Sequence, residues 1–222
     1  MKTLPLILSC FALSNPICDY KVGKLFESDR YSNISICYEG DLFLEDIQII
    51  VKSGSDELII EPQANIGYNP SIFVANFLNN GLEQVLYSVD SGGSGGYSYY
   101  ELYSFKSGEG ELIFNSSEFN PHIEASYYGD DQIKIDYQGK ALYLDASKSS
   151  CNVEDCSLYI SEVNSVFPYY NFERDRYYLQ VLQRVYGGFS ANNLGYISSL
   201  VEVNEDGYNI IDVGILSNFA EK

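Results

Sequence analysis

Apolar residues in this chain alternate with polar ones far more often than they recur at helical spacing. Ile47, Ile49 and Val51 alternate with Gln48 and Lys52, and Ser53-Gly54-Ser55-Asp56 then turns the chain into Leu58-Ile59-Ile60. Tyr97, Tyr99, Glu101, Tyr103 and Phe105 fall on one face of a strand, with Tyr100 and Leu102 on the other. Ser107-Gly108-Glu109-Gly110 returns that strand as Leu112-Ile113-Phe114. Ile133, Ile135 and Tyr137 lead through Gln138-Gly139-Lys140 to Leu142 and Leu144, and Leu200 to Val203 leads through Asn204-Glu205-Asp206-Gly207 to Ile210-Ile211-Asp212-Val213. Each is a hairpin with turn residues in place. Residues 174–185 carry a roughly helical face at Tyr177, Val181 and Arg184, but their β-branched and aromatic content favours a strand. The pattern predicts an all-β chain of antiparallel hairpins and meanders, in a small propeller-like or sandwich arrangement.

A weak internal repeat supports repeated meander units. Gln84-Val85-Leu86 with Val89 recurs as Gln180-Val181-Leu182 with Val185. Both copies run into a glycine-containing loop, Ser91 to Gly96 and Gly187 to Asn193, and then into Tyr97 or Tyr196 at the next strand.

The start of the chain changes the setting. Lys2 precedes an apolar run from Leu4 to Leu13, followed by small residues, which is the layout of a secretory leader. Residues 1–14 are expected to be a signal peptide and 15–222 one all-β domain, periplasmic or secreted. The run is shorter than the roughly 20 apolar residues that cross a bilayer, so no membrane span is expected. Cys10 would leave with the leader, and the four remaining cysteines then read as two disulfides, with the local pairings Cys18–Cys37 and Cys151–Cys156 closing the shortest loops.

The formal charge is −18, from 31 acidic against 13 basic residues. Such a surface repels nucleic acid and favours basic partners. Little in the chain points to catalysis. Gly92-Gly93-Ser94-Gly95-Gly96 matches the G-x-S-x-G nucleophile elbow, but a strand pattern follows where the elbow needs a helix. His122, the only histidine, follows an Asn120-Pro121 turn, and no Asp lies between it and Ser94. No phosphate loop, dinucleotide fingerprint or HExxH motif appears, so neither a cofactor nor a metal is expected. Asp130-Asp131 reads as a turn. Glu101 sits among tyrosines: in a buried face it needs a partner, and in an exposed one it would mark a surface for a cationic or carbohydrate-like ligand. Aromatics on a strand usually pack, so the buried reading is preferred.

Asn76-Phe77-Leu78-Asn79-Asn80-Gly81-Leu82-Glu83-Gln84 resembles a degenerate FG-GAP or VCBS-type repeat, whose loop D-x-[ND]-x-D-G-x-x-[DE] holds calcium in extracytoplasmic propellers. Gly81 keeps its place, but Asn76, Leu78, Asn80 and Gln84 stand at ligand positions, so the resemblance implies the turn without tight calcium binding. The segment after it, Ser91 to Tyr100, resembles a glycine-serine loop before a tyrosine strand in uncharacterised exported bacterial proteins.

The chain is therefore expected to be an exported, non-catalytic binding protein for a protein or glycan ligand. The contact surface is expected at Ser91, Gly92, Gly93, Ser94, Gly95 and Gly96, with Tyr97, Tyr99 and Tyr100, together with Gly187 and Gly188. The alternative is a periplasmic inhibitor or immunity protein that neutralises a basic enzyme or toxin. A hydrolase is the third and weakest reading.

Overall fold

The computed structural model describes residues 20–27, 30–93, 95–106, 108–147, 156–188 and 192–217. These form four antiparallel sheets, each a meander of strands consecutive in the chain. Sheet 1 holds β1 (Tyr20–Gly23), β2 (Ser32–Glu39), β3 (Glu45–Ser53) and β4 (Asp56–Ile60). Sheet 2 holds β5 (Tyr68–Ala75), β6 (Gln84–Asp90), β7 (Ser98–Ser104) and β8 (Glu111–Asn115). Sheet 3 holds β9 (Glu124–Tyr128), β10 (Gln132–Tyr137) and β11 (Lys140–Asp145). Sheet 4 holds β12 (Leu158–Asn171), β13 (Arg176–Gly187), β14 (Asn193–Asn204) and β15 (Gly207–Ser217). One 3₁₀ turn, Ser116–Glu118, is the only helical element among the described residues. All four hairpins read from the alternation are present, as β3–β4, β7–β8, β10–β11 and β14–β15.

Three apolar clusters join the sheets in series. Ile34, Ile36, Ile47 and Ile49 of sheet 1 meet Val85, Tyr87, Val89 and Tyr103 of sheet 2. On its other face sheet 2 presents Leu86, Leu102 and Phe114 to Val163, Leu179, Val181 and Val201 of sheet 4. Farther along the same strands, Val185, Ile197 and Val213 of sheet 4 cover Ile133, Ile135 and Leu144 of sheet 3. Strict alternation makes this possible: Val85, Tyr87 and Val89 face one neighbour, while Leu86 faces the other. The long strands of sheet 4 let a single face cover two smaller sheets end to end. No core cluster among the described residues joins sheet 1 to sheet 3.

The two copies of the internal repeat fall on equivalent strands. Gln84 to Val89 lies in β6 and Gln180 to Val185 in β13, each the second strand of a four-stranded meander and each followed by a glycine loop.

The described residues do not support a disulfide-stapled fold. Cys37 is half-buried on β2, and the Cys18 expected to pair with it lies outside the described residues. Cys151 also lies outside them, as does the leader at residues 1–14. Cys156 is disulfide-bonded, and the described residues contain no complete disulfide.

Candidate functional site

The loop between β6 and β7 is built for close approach. The Ser91 N–H donates to the Tyr97 carbonyl (2.9 Å) and the Gly96 N–H to the Gly93 carbonyl (3.0 Å). Gly92 has φ of +73°, and a Cβ there would lie 2.1 Å from the Tyr68 ring. A Cβ on Gly95 would lie equally close to the Tyr97 ring. Gly93, by contrast, is exposed, with only ordinary contact at 3.7 Å. Below the loop Asp90 accepts hydrogen bonds from the Ser98 hydroxyl (2.6 Å) and the Asn69 side-chain amide (3.0 Å), which fix where it leaves the sheet. Ser94 lies outside the described residues.

The loop docks on sheet 4 through Arg184. The guanidinium donates to the Gly95 carbonyl at 2.7 Å. Its central carbon lies 5.8 Å from the Tyr97 ring centre and 6.0 Å from that of Tyr196, within cation–π range of both. Asn164 donates its side-chain amide to the Gly96 carbonyl at 2.9 Å. Tyr196 stands opposite Arg184 in the register of β13 and β14, and its hydroxyl accepts from the Asn193 side chain at 3.0 Å. Asn193 belongs to the second loop named from sequence, so the two loops meet across one arginine and two tyrosines.

The other expected residues are placed as follows. Tyr99 is exposed, whereas Tyr100 is half-buried against the core between sheets 2 and 4. Gly187 is buried and its N–H donates to the Asn192 carbonyl (3.3 Å), while Gly188 is exposed and donates to Ser157 (2.9 Å). Residues 189–191 lie outside the described part. Arg184, Asn164 and Tyr196 were not named as site residues from sequence. The signal available was alternation: Arg184 lies on the face of β13 opposite Val181 and Val185.

Glu101 belongs to the core, not to a contact surface. It is 1% exposed and accepts from the backbone N–H groups of Gln63 (3.1 Å) and Ala64 (2.8 Å) and from the Tyr103 hydroxyl. The Tyr87 hydroxyl donates to the Ala64 carbonyl at 2.7 Å. His122 sits exposed in a left-handed backbone conformation, with its N–H on the Asn120 side chain (3.1 Å). The chain enters strand β7 after the glycine loop, not the helix that a nucleophile elbow requires.

The loop that resembles a calcium repeat is braced by its own amides. The Gln84 side-chain carbonyl accepts from the N–H groups of Phe77 (2.7 Å) and Leu78 (3.0 Å), and its NH₂ donates to the Leu82 carbonyl (2.9 Å). Asn76 accepts from the Asn80 N–H, and Asn80 from the Leu82 N–H. The oxygens at the ligand positions thus serve backbone donors. No cluster of three acidic, histidine or cysteine side chains that could hold a metal occurs among the described residues.

Comparison with known proteins points elsewhere than the FG-GAP repeat. Residues 123–216 match the family model of the YybI C-terminal domain, a stretch that covers nearly all of sheets 3 and 4. The chain is also 27% identical over 185 residues to "Uncharacterized protein YybI" of Bacillus subtilis (strain 168), across 74% of this chain and 70% of that protein. No solved structure matches. No FG-GAP or VCBS family is shown, so the likeness of residues 76–84 stays one of a short sequence segment. The family match over residues 123–216 includes Arg184 and Tyr196 but not the sheet 2 loop whose Gly95 carbonyl accepts from Arg184.

Proposed function

We propose that this chain is a non-catalytic binding protein acting in the periplasm or outside the cell, and that its two glycine loops form one contact surface. The observation that carries the reading is the Arg184 junction, where loops about ninety residues apart in sequence share a guanidinium and two tyrosine rings. A long-range anchor of this kind presents loops on a rigid sheet, as recognition surfaces commonly do. Exposed Gly92, Gly93 and Tyr99 would supply backbone and aromatic contacts. The leader-like residues 1–14 support the compartment. The charge of −18 supports the second reading, capture and neutralisation of a basic protein.

The test uses the purified chain as bait on a glycan array and on envelope extract at low and high salt, beside Gly93→Gln and Tyr99→Ser. Both positions are exposed, so the variants should unfold at the wild-type midpoint. Capture by the wild type that both variants lose supports the loop surface. A basic protein released at high salt selects the inhibitor reading. Equal capture by all three proteins removes the loops from the site, and no capture in either format removes the binding reading.

A further inference from the structure

A second surface feature lies away from these loops, between sheet 2 and the turn joining β14 to β15. It is an open hollow of about 430 Å³. Its buried or half-buried members are Leu78, Ser104 and Ile113, and its exposed members are Glu27, Lys106, Glu111 and Glu205.

Three independent observations mark it as a site. The first is a β-bulge. Phe114 pairs with Leu102 while Leu112 pairs with Tyr103, so Ile113 is an extra residue on β8. Ile113 and Phe114 consequently both belong to the core between sheets 2 and 4, and Ile113 also lines the hollow. Bulges re-aim side chains in this way, often beside sites. The second is Ser104. It follows Leu102 by two positions, so its side chain projects from the same face of β7, toward sheet 4. It is only 4% exposed, and its hydroxyl makes no hydrogen bond within the described residues. Its oxygen is not one of the fully buried atoms left without a partner, so it opens on the hollow and can accept a hydrogen bond from a group bound there. The third is charge. Lys106 is paired with Glu205 at 2.5 Å, which leaves Glu27 and Glu111 without an ion pair among the described residues. The Glu205 hydrogen bond and charge raise the Lys106 pKa, and Glu27 adds to the effect, so this ammonium stays charged and Glu205 stays compensated.

We propose that this hollow binds an alkylammonium group. The aliphatic stem lies on Leu78 and Ile113, and the charge faces Glu27 and Glu111. One ammonium N–H donates to the Ser104 hydroxyl oxygen. An apolar surface beside two carboxylates that form no ion pair disfavours anions and gives neutral ligands no charge partner. The same chemistry is offered by a free polyamine and by a lysine side chain of a partner protein.

The experiment titrates the full chain, at low ionic strength, with 1,5-diaminopentane and with Nα-acetyl-lysine methylamide, by calorimetry or NMR. Ser104→Ala leaves the net charge unchanged and should weaken binding about tenfold through the lost charge-assisted hydrogen bond. Glu27→Gln and Glu111→Gln should each weaken it roughly two- to fivefold, and Lys106→Gln, which releases Glu205, should strengthen it. Glu162→Gln, at an exposed position of β12, controls for the general acidity of the surface and should change nothing. Preference for the diamine assigns the hollow to a free polyamine, and preference for the lysine derivative assigns it to a partner's side chain. Failure of both probes to bind at millimolar concentration overturns the proposal. So does unchanged affinity in Ser104→Ala, or an equal loss in Glu162→Gln.

Discussion

The Glu101 carboxylate accepts the Ala64 backbone N–H at 2.8 Å, inside the interface between sheets 1 and 2. It also takes the Gln63 N–H, so one side chain of β7 fixes the crossover from β4 to β5. The crossover is braced further by Asn115, which donates to the Gln63 side chain at 2.9 Å. Glu101→Leu would strand two backbone donors and the Tyr103 hydroxyl, at a cost of about 3 kcal/mol or more. Glu101→Gln keeps one acceptor and should cost less, about 1–2 kcal/mol. Urea unfolding of both variants measures the order. A leucine variant as stable as the wild type would show that the carboxylate does not hold the crossover.

The same cluster makes a prediction in alkali. Burial, then the Glu101 charge, holds the Tyr87 phenol far above its ordinary value near 10. Burial, then the hydrogen bond to Glu101, does the same for Tyr103. In the unfolded chain both phenols ionise near pH 10, while the folded chain keeps the protons. The stabilisation is therefore fully present below pH 10 and falls as pH rises, by up to about 1.4 kcal/mol per pH unit per group. Urea midpoints between pH 9 and 11.5 should fall more steeply in the wild type than in the Tyr87→Phe, Tyr103→Phe double variant. Equal slopes would contradict the assignment.

The amide-braced loop makes the opposite prediction for metal. The side-chain oxygens of Asn76, Asn80 and Gln84 are engaged by N–H groups of the loop itself. Chelation of divalent cations should leave the thermal midpoint within about 1 °C. Gln84→Leu should destabilise by about 2–4 kcal/mol, because it strands two N–H groups and a carbonyl. A chelator-sensitive midpoint would mean that the loop holds an ion after all.

How far the sequence could be read followed the range of the forces involved. Hairpins such as β3–β4 were legible because Ser53-Gly54-Ser55-Asp56 fixes the turn and alternation fixes the faces, both local effects. Residues 174–185 were legible as a strand because β-branched and aromatic side chains outweighed a weak helical period. The stacking order was not legible: sheet 2 meets sheet 4 and not sheet 3, its neighbour in sequence, through complementarity among Leu86, Leu102, Leu179 and Val181. The 14-residue β12 escaped notice because register shifts between Ile160 and Ser165 break its alternation. The glycine loops were visible as loops, but their meeting at Arg184 depends on a contact across 89 residues that no local pattern encodes.

Arg176 tests whether such long-range contacts carry stability. It pairs with Glu202 on β14, and its Nη2 donates to the carbonyls of Phe77 (3.0 Å) and Val203 (3.4 Å). Its guanidinium also lies 5.2 Å from the centre of the Tyr178 ring. It thereby ties sheet 4 to the loop that follows β5. A lysine keeps the charge but offers no planar fork, so it cannot serve the carboxylate, two carbonyls and the ring at once. Arg176→Lys should lose about 1–2 kcal/mol in chemical denaturation. Arg176→Ala should lose about 3 kcal/mol, because the half-buried Glu202 keeps its charge without its partner. Adding Glu202→Gln to Arg176→Ala should recover part of that loss, since the uncompensated carboxylate is then gone. If Arg176→Lys matches the wild type, the fork geometry contributes nothing and the link reduces to charge alone.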